Sequence, residues 1–232
     1  MMKKAVCLIS GGLDSAVTAF IAKEMNYNIF ALSFIYGQRH NKEIEYAKKI
    51  TKVLNIKKHI IFKINIDQFG SSSLVDKSIK LEINHNLRDI GKDIPNTYVP
   101  ARNTIFLSIA LSFAESINAD AIFIGATATD YSGYPDCRPN YFKAFQKMAD
   151  LATKKAINGK SILIITPVLN LNKDEIIKKG FKLGVPFDKT WSCYIGKEKA
   201  CGRCDSCLLR LKGFKKANLK DPLKYEFLPD WY

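Results

Sequence analysis

The chain has 232 residues, of which 47% are hydrophobic and 25% charged, a composition typical of a folded globular protein and not of a disordered or fibrous one. This length excludes a disulfide-stapled miniprotein and fits one domain with an appendage. The apolar run at residues 105–114 is shorter than the roughly 18–20 residues of a membrane span. The N-terminal apolar stretch ends at Gly11-Gly12 without a cleavage site, so we expect a cytoplasmic protein with no membrane partner.

The net charge of +14 suggests nucleic-acid binding, because Lys and Arg neutralise phosphates. Most of the 36 basic residues are Lys, however, and lysine pairs such as Lys48-Lys49 and Lys57-Lys58 fall at helix ends or between elements. Such pairs are typical of solvated faces. We therefore expect no nucleic-acid partner.

Apolar runs alternate with helical periodicity along the chain. In chain order the pattern predicts a strand at 5–10, a helix after Gly12, a strand at 28–36, a helix at 43–55, a strand at 59–65, a helix at 103–118, a strand at 121–125, a helix at 140–157, a strand at 161–168 and a helix at 173–183. This order predicts an α/β fold with a doubly wound, five-stranded parallel sheet and right-handed crossovers.

Two segments depart from this alternation. Residues 66–102 lack clear periodicity, which is typical of a lid or substrate loop. Residues 186–232 form a short Cys-rich tail. We therefore expect a nucleotide-binding domain over residues 1–185 and a separate C-terminal region over 186–232.

The segment Ser10-Gly11-Gly12-Leu13-Asp14-Ser15 joins the first strand to the first helix. Its glycines let backbone amides turn inward, and the helix N-terminus adds N–H donors and partial positive charge, which together form an anion site. Ser10 and Ser15 add hydroxyl donors, and Asp14 can hold Mg²⁺ against phosphates. The segment matches neither GxxxxGK[ST] nor GxGxxG. We predict a phosphate loop; a Gly-Gly turn with a Ser/Asp helix cap is the simpler alternative.

Four of the six cysteines are close in sequence and spaced as metal ligands: Cys193, Cys201, Cys204 and Cys207. Zinc fits this set best, although an iron–sulfur cluster also uses four thiolates. Four thiolates leave no open coordination position, so we expect a structural metal. Cys7 and Cys137 stand alone, and Cys7 fits a small buried hydrophobe in the first strand.

These motifs carry a resemblance that covers nearly the whole chain. The SGGLDS loop is similar to the SGGxDS loop of the PP-loop ATP pyrophosphatases, which split ATP between the α and β phosphates to adenylate a substrate oxygen. With the cysteine cluster it resembles the family of 7-cyano-7-deazaguanine synthases. The matching segments are SGGLDS (10–15), YGQRH (36–40), PNTYVPARN (95–103), IGATATDYSGYPDCRP (124–139), TWSCY (190–194) and CGRCDSCLLRLKGF (201–214).

The resemblance implies an adenine nucleotide alpha hydrolase-like fold and a reaction. Enzymes of that family convert 7-carboxy-7-deazaguanine and ammonia to the nitrile 7-cyano-7-deazaguanine and consume ATP with Mg²⁺. The reaction belongs to queuosine precursor biosynthesis. The carboxylate is adenylated, ammonia gives an amide, and a second activation removes the amide oxygen. The sequence does not determine the oligomeric state, and a homodimer is one possibility.

The resemblance also implies roles for particular residues. The ATP-binding set is Leu8, Ile9, Ser10, Gly11, Gly12, Leu13, Asp14, Ser15, Ala16, Val17 and Thr18. The substrate-binding set is Tyr36, Gln38, Asn103, Asp130, Tyr131, Tyr134, Asp136 and Arg138. The catalytic set is Asp14, Arg39, His40 and Arg102.

The chemistry of these side chains suits such a reaction. A purine-like base needs aromatic planes and paired hydrogen bonds, which Tyr131 and Tyr134 with Asp130 or Asp136 supply. Arg39, Arg102 and Arg138 are candidates to bind carboxylate or phosphate in a forked geometry. His40 is a candidate proton carrier for ammonia, or else a satisfied polar residue. Asn103 has an alternative role as the cap of the helix that follows it.

Two other functions remain open on the sequence. A PP-loop enzyme that thiolates tRNA would explain the charge, but it predicts a reactive low-pKa cysteine and an added RNA-binding domain. A zinc-ribbon binding module with an inactive α/β domain is the other alternative, and the intact SGGLDS loop speaks against it.

Overall fold

The computed structural model describes residues 2–128 and 133–232. Strands and helices alternate along these residues. The elements are β1 (Lys4–Leu8), α1 (Leu13–Glu24), β2 (Asn28–Ile35), α2 (Lys42–Val53), β3 (His59–Lys63), α3 (Arg102–Ser116), β4 (Ala121–Phe123), α4 (Pro139–Ala152), α5 (Lys154–Ile157), β5 (Leu163–Ile165), α6 (Lys173–Lys182) and α7 (Asp205–Lys216), with short 3₁₀ turns at Ile66–Phe69, Pro135–Cys137 and Phe187–Lys189.

All five strands are parallel and lie in the order β3-β2-β1-β4-β5. The chain therefore winds outward from β1 to β3, returns, and winds outward again through β4 to β5. The strand order reverses between β1 and β4, and in sheets of this kind the carboxyl ends at the reversal form the ligand crevice. The doubly wound parallel sheet predicted from the sequence is confirmed.

Helices cover both faces of the sheet, and β1 shows how the sequence provides for this. Val6 and Leu8 pack into one apolar cluster with residues of α3 and α4. Ala5 and Cys7 pack into a second cluster with residues of α1, α6 and α7. Alternate residues of a strand face opposite sides, so a strand buried on both faces is apolar throughout.

Two local predictions, for the helix at 140–157 and for the cap of α3, were wrong, and one helix was not predicted. The single helix expected at 140–157 is divided at Thr153, whose backbone is extended and whose hydroxyl donates to the Ala149 carbonyl. The C-terminal region at 186–232, for which no element was predicted, contains a 12-residue helix, α7. Asn103 does not cap α3: this helix begins at Arg102, after Ala101 in the left-handed region (φ 52°).

The segment between β3 and α3 contains no strand, and its one helical element is the 3₁₀ turn at Ile66–Phe69. It contacts the C-terminal region at two points. The Asn84 amide donates to the Arg203 carbonyl at 2.9 Å, and His85 Nδ1 lies 2.8 Å from Asp205 Oδ1. The segment is therefore held against the cysteine-bearing part of the chain.

The C-terminal region packs tightly on the sheet domain through α6 and α7. Phe214 is buried in the same cluster as the residues of α1 and α6. A Cβ at Gly213 would lie 2.5 Å from Lys173 Cγ, so the two helices approach closely at this glycine. Over the described residues, no helix combines the length and apolar character needed to cross a membrane.

Candidate active site

A cavity of about 290 Å³ opens at the carboxyl ends of β1, β2 and β4. Its wall contains seven residues of the expected ATP-binding set: Leu8, Ile9, Ser10, Gly12, Leu13, Asp14 and Ser15. Ala16, Val17 and Thr18 are fully buried beneath the loop, in the first turns of α1. The cavity therefore lies at the reversal of strand order, where the fold predicts a ligand.

Hydrogen bonds of Ser10 and Ser15 to the backbone of the phosphate loop hold its conformation. Ser15 Oγ donates to the Gly12 carbonyl at 3.0 Å and accepts from the Ser10 amide at 3.2 Å, and Ser10 Oγ accepts from the Gly12 amide. Because α1 begins at Leu13, its first amides have no carbonyl partner within the helix. The arrangement leaves a helix N-terminus with its positive dipole end at the cavity.

Two glycines permit the close packing around this loop. Gly11 has φ +85°, and a Cβ there would collide with the backbone of α2 at Glu43. A Cβ at Gly125, after β4, would lie 2.8 Å from the backbone of Asp14 and Ser15. Contacts this short require glycine, so the loop is wedged between α2 and the end of β4.

Asp14 forms an ion pair with a lysine that the sequence analysis missed. Lys173 Nζ, at the start of α6, lies 2.7 Å from Asp14 Oδ1 and 2.8 Å from Oδ2. Both side chains line the cavity. The position of Lys173 in the sequence could have indicated this role, because a helix that follows a strand of a doubly wound sheet begins at the edge where the ligand binds.

Arg102 and Glu43 face the cavity from α3 and α2. The guanidinium lies 5.9 Å from the centre of the Tyr36 ring, and Nη1 is 3.4 Å from the Tyr36 hydroxyl. Burial raises the pKa of Tyr36 to about 12, so this hydroxyl stays protonated. Burial also raises the pKa of Glu43 to about 7, against the opposing effect of Arg102. Glu43 was missed in the sequence analysis, although it also begins a helix after a strand.

Asp136 and Asn103 form a buried pair beside the cavity. The Asp136 carboxylate accepts the backbone amide of Asn103 at 2.9 Å, which caps α3 in place of the expected Asn103 side chain. Asn103 Nδ2 donates to the Asp136 carbonyl at 3.0 Å and to Cys137 Sγ at 3.2 Å. Burial raises the pKa of the Cys137 thiol to about 11, with a further contribution from Asp136. This thiol lacks the low pKa of a reactive cysteine.

Three residues of the YGQRH segment are engaged with neighbouring backbone. Gln38 Oε1 accepts the Tyr36 amide at 2.7 Å. Arg39 donates through Nε to the Ser73 carbonyl and through Nη2 to the Asp76 carbonyl at 3.2 Å. His40 Nε2 lies 3.1 Å from the Cys193 carbonyl, and burial lowers its pKa. These side chains hold segments together, and the wall of the cavity is formed by other residues.

The remaining expected substrate residues divide into three groups. Tyr134 lines the cavity and its hydroxyl lies 2.9 Å from Thr97 Oγ1. Arg138 is exposed and lines a neighbouring cavity of about 400 Å³. Asp130 and Tyr131 lie outside the described residues.

The four cysteines of the C-terminal region converge. Their Sγ atoms all lie within 4.8 Å of one another, and all four residues are buried. Backbone amides of Ile195 and Cys201 point at Cys193 Sγ, at 3.4 and 3.3 Å, and those of Arg203 and Cys204 point at Cys201 Sγ. Such donors stabilise thiolates, so the donor set fits a thiolate-bound metal ion.

A buried arginine joins the cysteine site to the cavity. Arg210 on α7 forms a two-pronged ion pair with Asp221, at 2.7 Å for Nε–Oδ2 and 2.9 Å for Nη2–Oδ1. It also donates to Thr190 Oγ1 at 2.8 Å and to the Phe187 carbonyl at 3.0 Å. Next to it, the Trp191 amide donates to the Gly11 carbonyl of the phosphate loop at 2.8 Å. The C-terminal region thus supports the phosphate loop directly.

A doubly wound parallel sheet with an SGGxDS loop at its strand-order reversal defines a nucleotide-binding enzyme of the PP-loop class. The family model described as "Queuosine biosynthesis protein QueC" matches residues 4–218. The chain belongs to this family, which confirms the resemblance found in the sequence, and it is an ATP-dependent enzyme.

Individual relatives agree over nearly the full length. The chain is 49% identical over 227 residues to the 7-cyano-7-deazaguanine synthase of Thermosynechococcus vestitus, covering 98% of this chain and 97% of that protein. It is 52% identical over 232 residues to the enzyme of that name from Picrophilus torridus, covering 100% and 95%. The NMN synthetase structure from Francisella tularensis is 19% identical with a TM-score of 0.47, covering 94% of this chain and 79% of that one, and we draw no conclusion from it.

Proposed function

We propose that the enzyme converts 7-carboxy-7-deazaguanine and ammonia to 7-cyano-7-deazaguanine with two molecules of ATP. The observation that carries this proposal is the cavity in which the SGGLDS loop meets the side chains of Arg102 and Lys173. A loop for phosphates and two cations in one cavity suit the transfer of AMP to a carboxylate. The name shared by relatives at about half identity supplies the substrate.

In the first step the phosphate loop binds ATP. The first amides of α1, with the Ser10 and Ser15 hydroxyls, face the phosphates, and Asp14 provides a carboxylate ligand suited to Mg²⁺. Lys173, whose ammonium group pairs with Asp14, lies in the same cavity and brings a second positive charge to the phosphates. Mg²⁺ held by Asp14 would neutralise charge on the leaving pyrophosphate.

Arg102 orients the reacting carboxylate. The carboxylate oxygen attacks the α phosphorus of ATP, pyrophosphate leaves, and ammonia then displaces AMP to give the amide. A second ATP activates the amide oxygen in the same position, and its loss as AMP leaves the nitrile. The forked guanidinium suits both the starting carboxylate and the phosphoryl oxygens.

The base of the substrate is held by aromatic rings and acceptors. Tyr36, Phe106 and Tyr134 line the described part of the cavity. We retain Asp130 and Tyr131 as candidates to read the base, with Arg138 at the neighbouring cavity. We assign Asp136 and Asn103 to positioning, because the Asp136 carboxylate is occupied by the start of α3. Gln38, Arg39 and His40 are likewise assigned as positioning residues.

The cysteine site holds one structural Zn²⁺ in this proposal. Four sulfur ligands suit tetrahedral zinc and leave no position open for a reactant. We propose that the enzyme works in the cytoplasm, where reducing conditions keep these thiols available to a metal ion.

The exposed apolar residues of α4, α5 and β5 support a homodimer. Leu151 is 82% exposed, Ile157 76% and Leu163 49%. Because β5 is an edge strand, a second copy could cover these side chains and the strand edge together. Sedimentation velocity would test this: a dimer is expected, and a monomer at micromolar concentration would contradict it.

The function itself is tested by mass spectrometry of a reaction with the purified enzyme, 7-carboxy-7-deazaguanine, ammonium, ATP and Mg²⁺. The expected products are the nitrile, AMP and pyrophosphate. Asp14→Asn should abolish AMP formation without unfolding the chain. If neither amide nor nitrile forms, the deazaguanine substrate is wrong, and thiolation of added tRNA becomes the reaction to assay.

A further inference from the structure

The proposed reaction needs a group that removes protons from nitrogen. Ammonia becomes positively charged when it attacks the acyl adenylate, and the adenylated amide still carries N–H protons that a nitrile lacks. A base within reach of the nitrogen accelerates such steps by about 10²–10⁴-fold. Asp14 is paired with Lys173, and His40 is bonded to the Cys193 carbonyl. Neither residue meets this requirement in the cavity.

Glu43 lies where such a base is needed. It is the second residue of α2, and its backbone carbonyl packs against Gly11 of the phosphate loop. Its side chain lines the cavity together with the phosphate loop and Arg102. Across residues 2–128 and 133–232, no donor makes a hydrogen bond to its carboxylate and no cation lies within ion-pair distance of it. The carboxylate is therefore available to a bound ligand.

The charges around Glu43 come from several elements. Arg102 on α3 favours its ionised form, and Tyr36 after β2 interacts with it electrostatically. The other ionisable groups that line the cavity are Asp14, Lys173, Arg210, Tyr134, Tyr194 and Cys137. Burial outweighs the attraction of Arg102 and raises the pKa of Glu43 to about 7. A carboxyl group with such a pKa both accepts and returns a proton near neutral pH.

We propose that Glu43 is a catalytic residue that accepts protons from the substrate nitrogen in both halves of the reaction. This inference rests on the proposed function. In the first half a C–N bond forms at the acyl adenylate, Glu43 takes one proton from nitrogen, and the C–O bond to AMP breaks. In the second half the adenylated amide loses its two nitrogen protons to Glu43 in turn, the second as the C–O bond breaks and the C≡N bond is completed. Glu43 releases each proton to water before it accepts the next.

The test compares Glu43→Gln with Glu43→Asp, and uses Glu45→Gln as the matched control on the same helix. Glu45 is exposed and lies outside the cavity. Two rates are measured in a single turnover: pyrophosphate release from acid and ATP without ammonium, and nitrile formation from the amide and ATP. Glu43→Gln should keep the first rate and lose about 10²–10⁴-fold in the second. Glu43→Asp should recover part of the loss, and Glu45→Gln should match the wild type.

The pH dependence provides a second readout. Since the ionised carboxylate is the base, nitrile formation by the wild type should rise as the pH increases through about 7, and Glu43→Gln should lack this rise. Wild-type rates in Glu43→Gln, or an equal loss of pyrophosphate release and nitrile formation, would overturn the role of Glu43. A wild-type enzyme that forms no nitrile overturns the proposed function instead.

Discussion

The buried arginines on the two sides of the cavity differ in how many hydrogen bonds they make. On the phosphate-loop side, the Arg102 guanidinium makes one hydrogen bond to residues 2–128 and 133–232, and it is long, 3.4 Å to the Tyr36 hydroxyl. On the cysteine side, Arg210 makes hydrogen bonds to Asp221, Thr190, Ser192 and the Phe187 carbonyl. Both arginines line the same cavity.

This difference in hydrogen bonding indicates that Arg102 binds a ligand and that Arg210 stabilises the fold. A buried charge is costly unless it is paired, so the well-paired Arg210 fixes the fold around Asp221, whereas the sparsely bonded Arg102 can exchange its contact for a ligand. The cysteine side therefore acts as a rigid wall for the phosphate-loop side. Substitutions on the first should change stability, and substitutions on the second should change catalysis.

The largest effect is expected at the cysteine cluster. Cys204→Ser removes one of four converging thiolates, and metal-binding free energy in such sites is folding free energy, about 10–16 kcal/mol for zinc-finger peptides. We expect loss of bound metal together with loss of cooperative unfolding of the C-terminal region. Metal analysis and urea denaturation would show both. The exposed Glu198→Gln nearby should keep its metal, and a stable metal-free Cys204→Ser enzyme would contradict a structural role.

The next largest effect is expected at Asp221. Asp221→Asn leaves Arg210 charged and without its carboxylate, which costs about 3–5 kcal/mol when the pair is buried. Urea denaturation should show this loss, while the folded fraction keeps its turnover. Asp230→Asn, at an exposed aspartate of the same tail, is the control and should leave the midpoint unchanged. Equal midpoints for the two variants would show that the pair is not essential to the fold.

Arg102→Lys should give the opposite outcome. An ammonium keeps the charge but loses the forked geometry, so we expect kcat to fall by about 10²–10³-fold with little change in the free energy of unfolding. Steady-state kinetics and urea denaturation test this together. Arg88→Lys, at an exposed site, should be neutral in both. If the Arg102→Lys variant is unstable but fully active once folded, Arg102 stabilises the fold and does not act in catalysis.

The smallest effect is expected at His40. Its ring bonds to the Cys193 carbonyl, and a lost hydrogen bond is worth about 0.5–1.5 kcal/mol. His40→Gln should therefore slow turnover by no more than about tenfold and leave the shape of the pH profile unchanged. Loss of an ionisation from the pH profile in this variant would make His40 the proton carrier after all.

Local sequence predicted those parts of the molecule that are formed locally. The phosphate loop is six consecutive residues between a strand and a helix, and three of the four cysteines lie within seven residues, so spacing alone indicated both. The strands were also predictable, because burial on both faces makes them continuously apolar. The ends of the strands were predicted less accurately, because the strand expected at 161–168 spans only Leu163–Ile165.

The parts that were missed depend on distant segments. Lys173 reaches Asp14 across 159 residues, and the cap of α3 comes from Asp136 on another loop. Arg39 and His40 carry chemistry suited to catalysis, yet backbone carbonyls of residues 73, 76 and 193 occupy them. Residue type indicates what a side chain can do, but the tertiary structure decides whether it faces the ligand or its own chain.

In the proposed reaction one cavity activates first a carboxylate and then an amide, each with its own ATP. The most direct measurement is the number of AMP molecules formed per nitrile and per amide, counted by mass spectrometry with the purified wild-type enzyme. We expect two AMP and two pyrophosphate per nitrile, and one of each per amide. One AMP per nitrile, or ADP and phosphate in place of AMP, would contradict the proposed reaction.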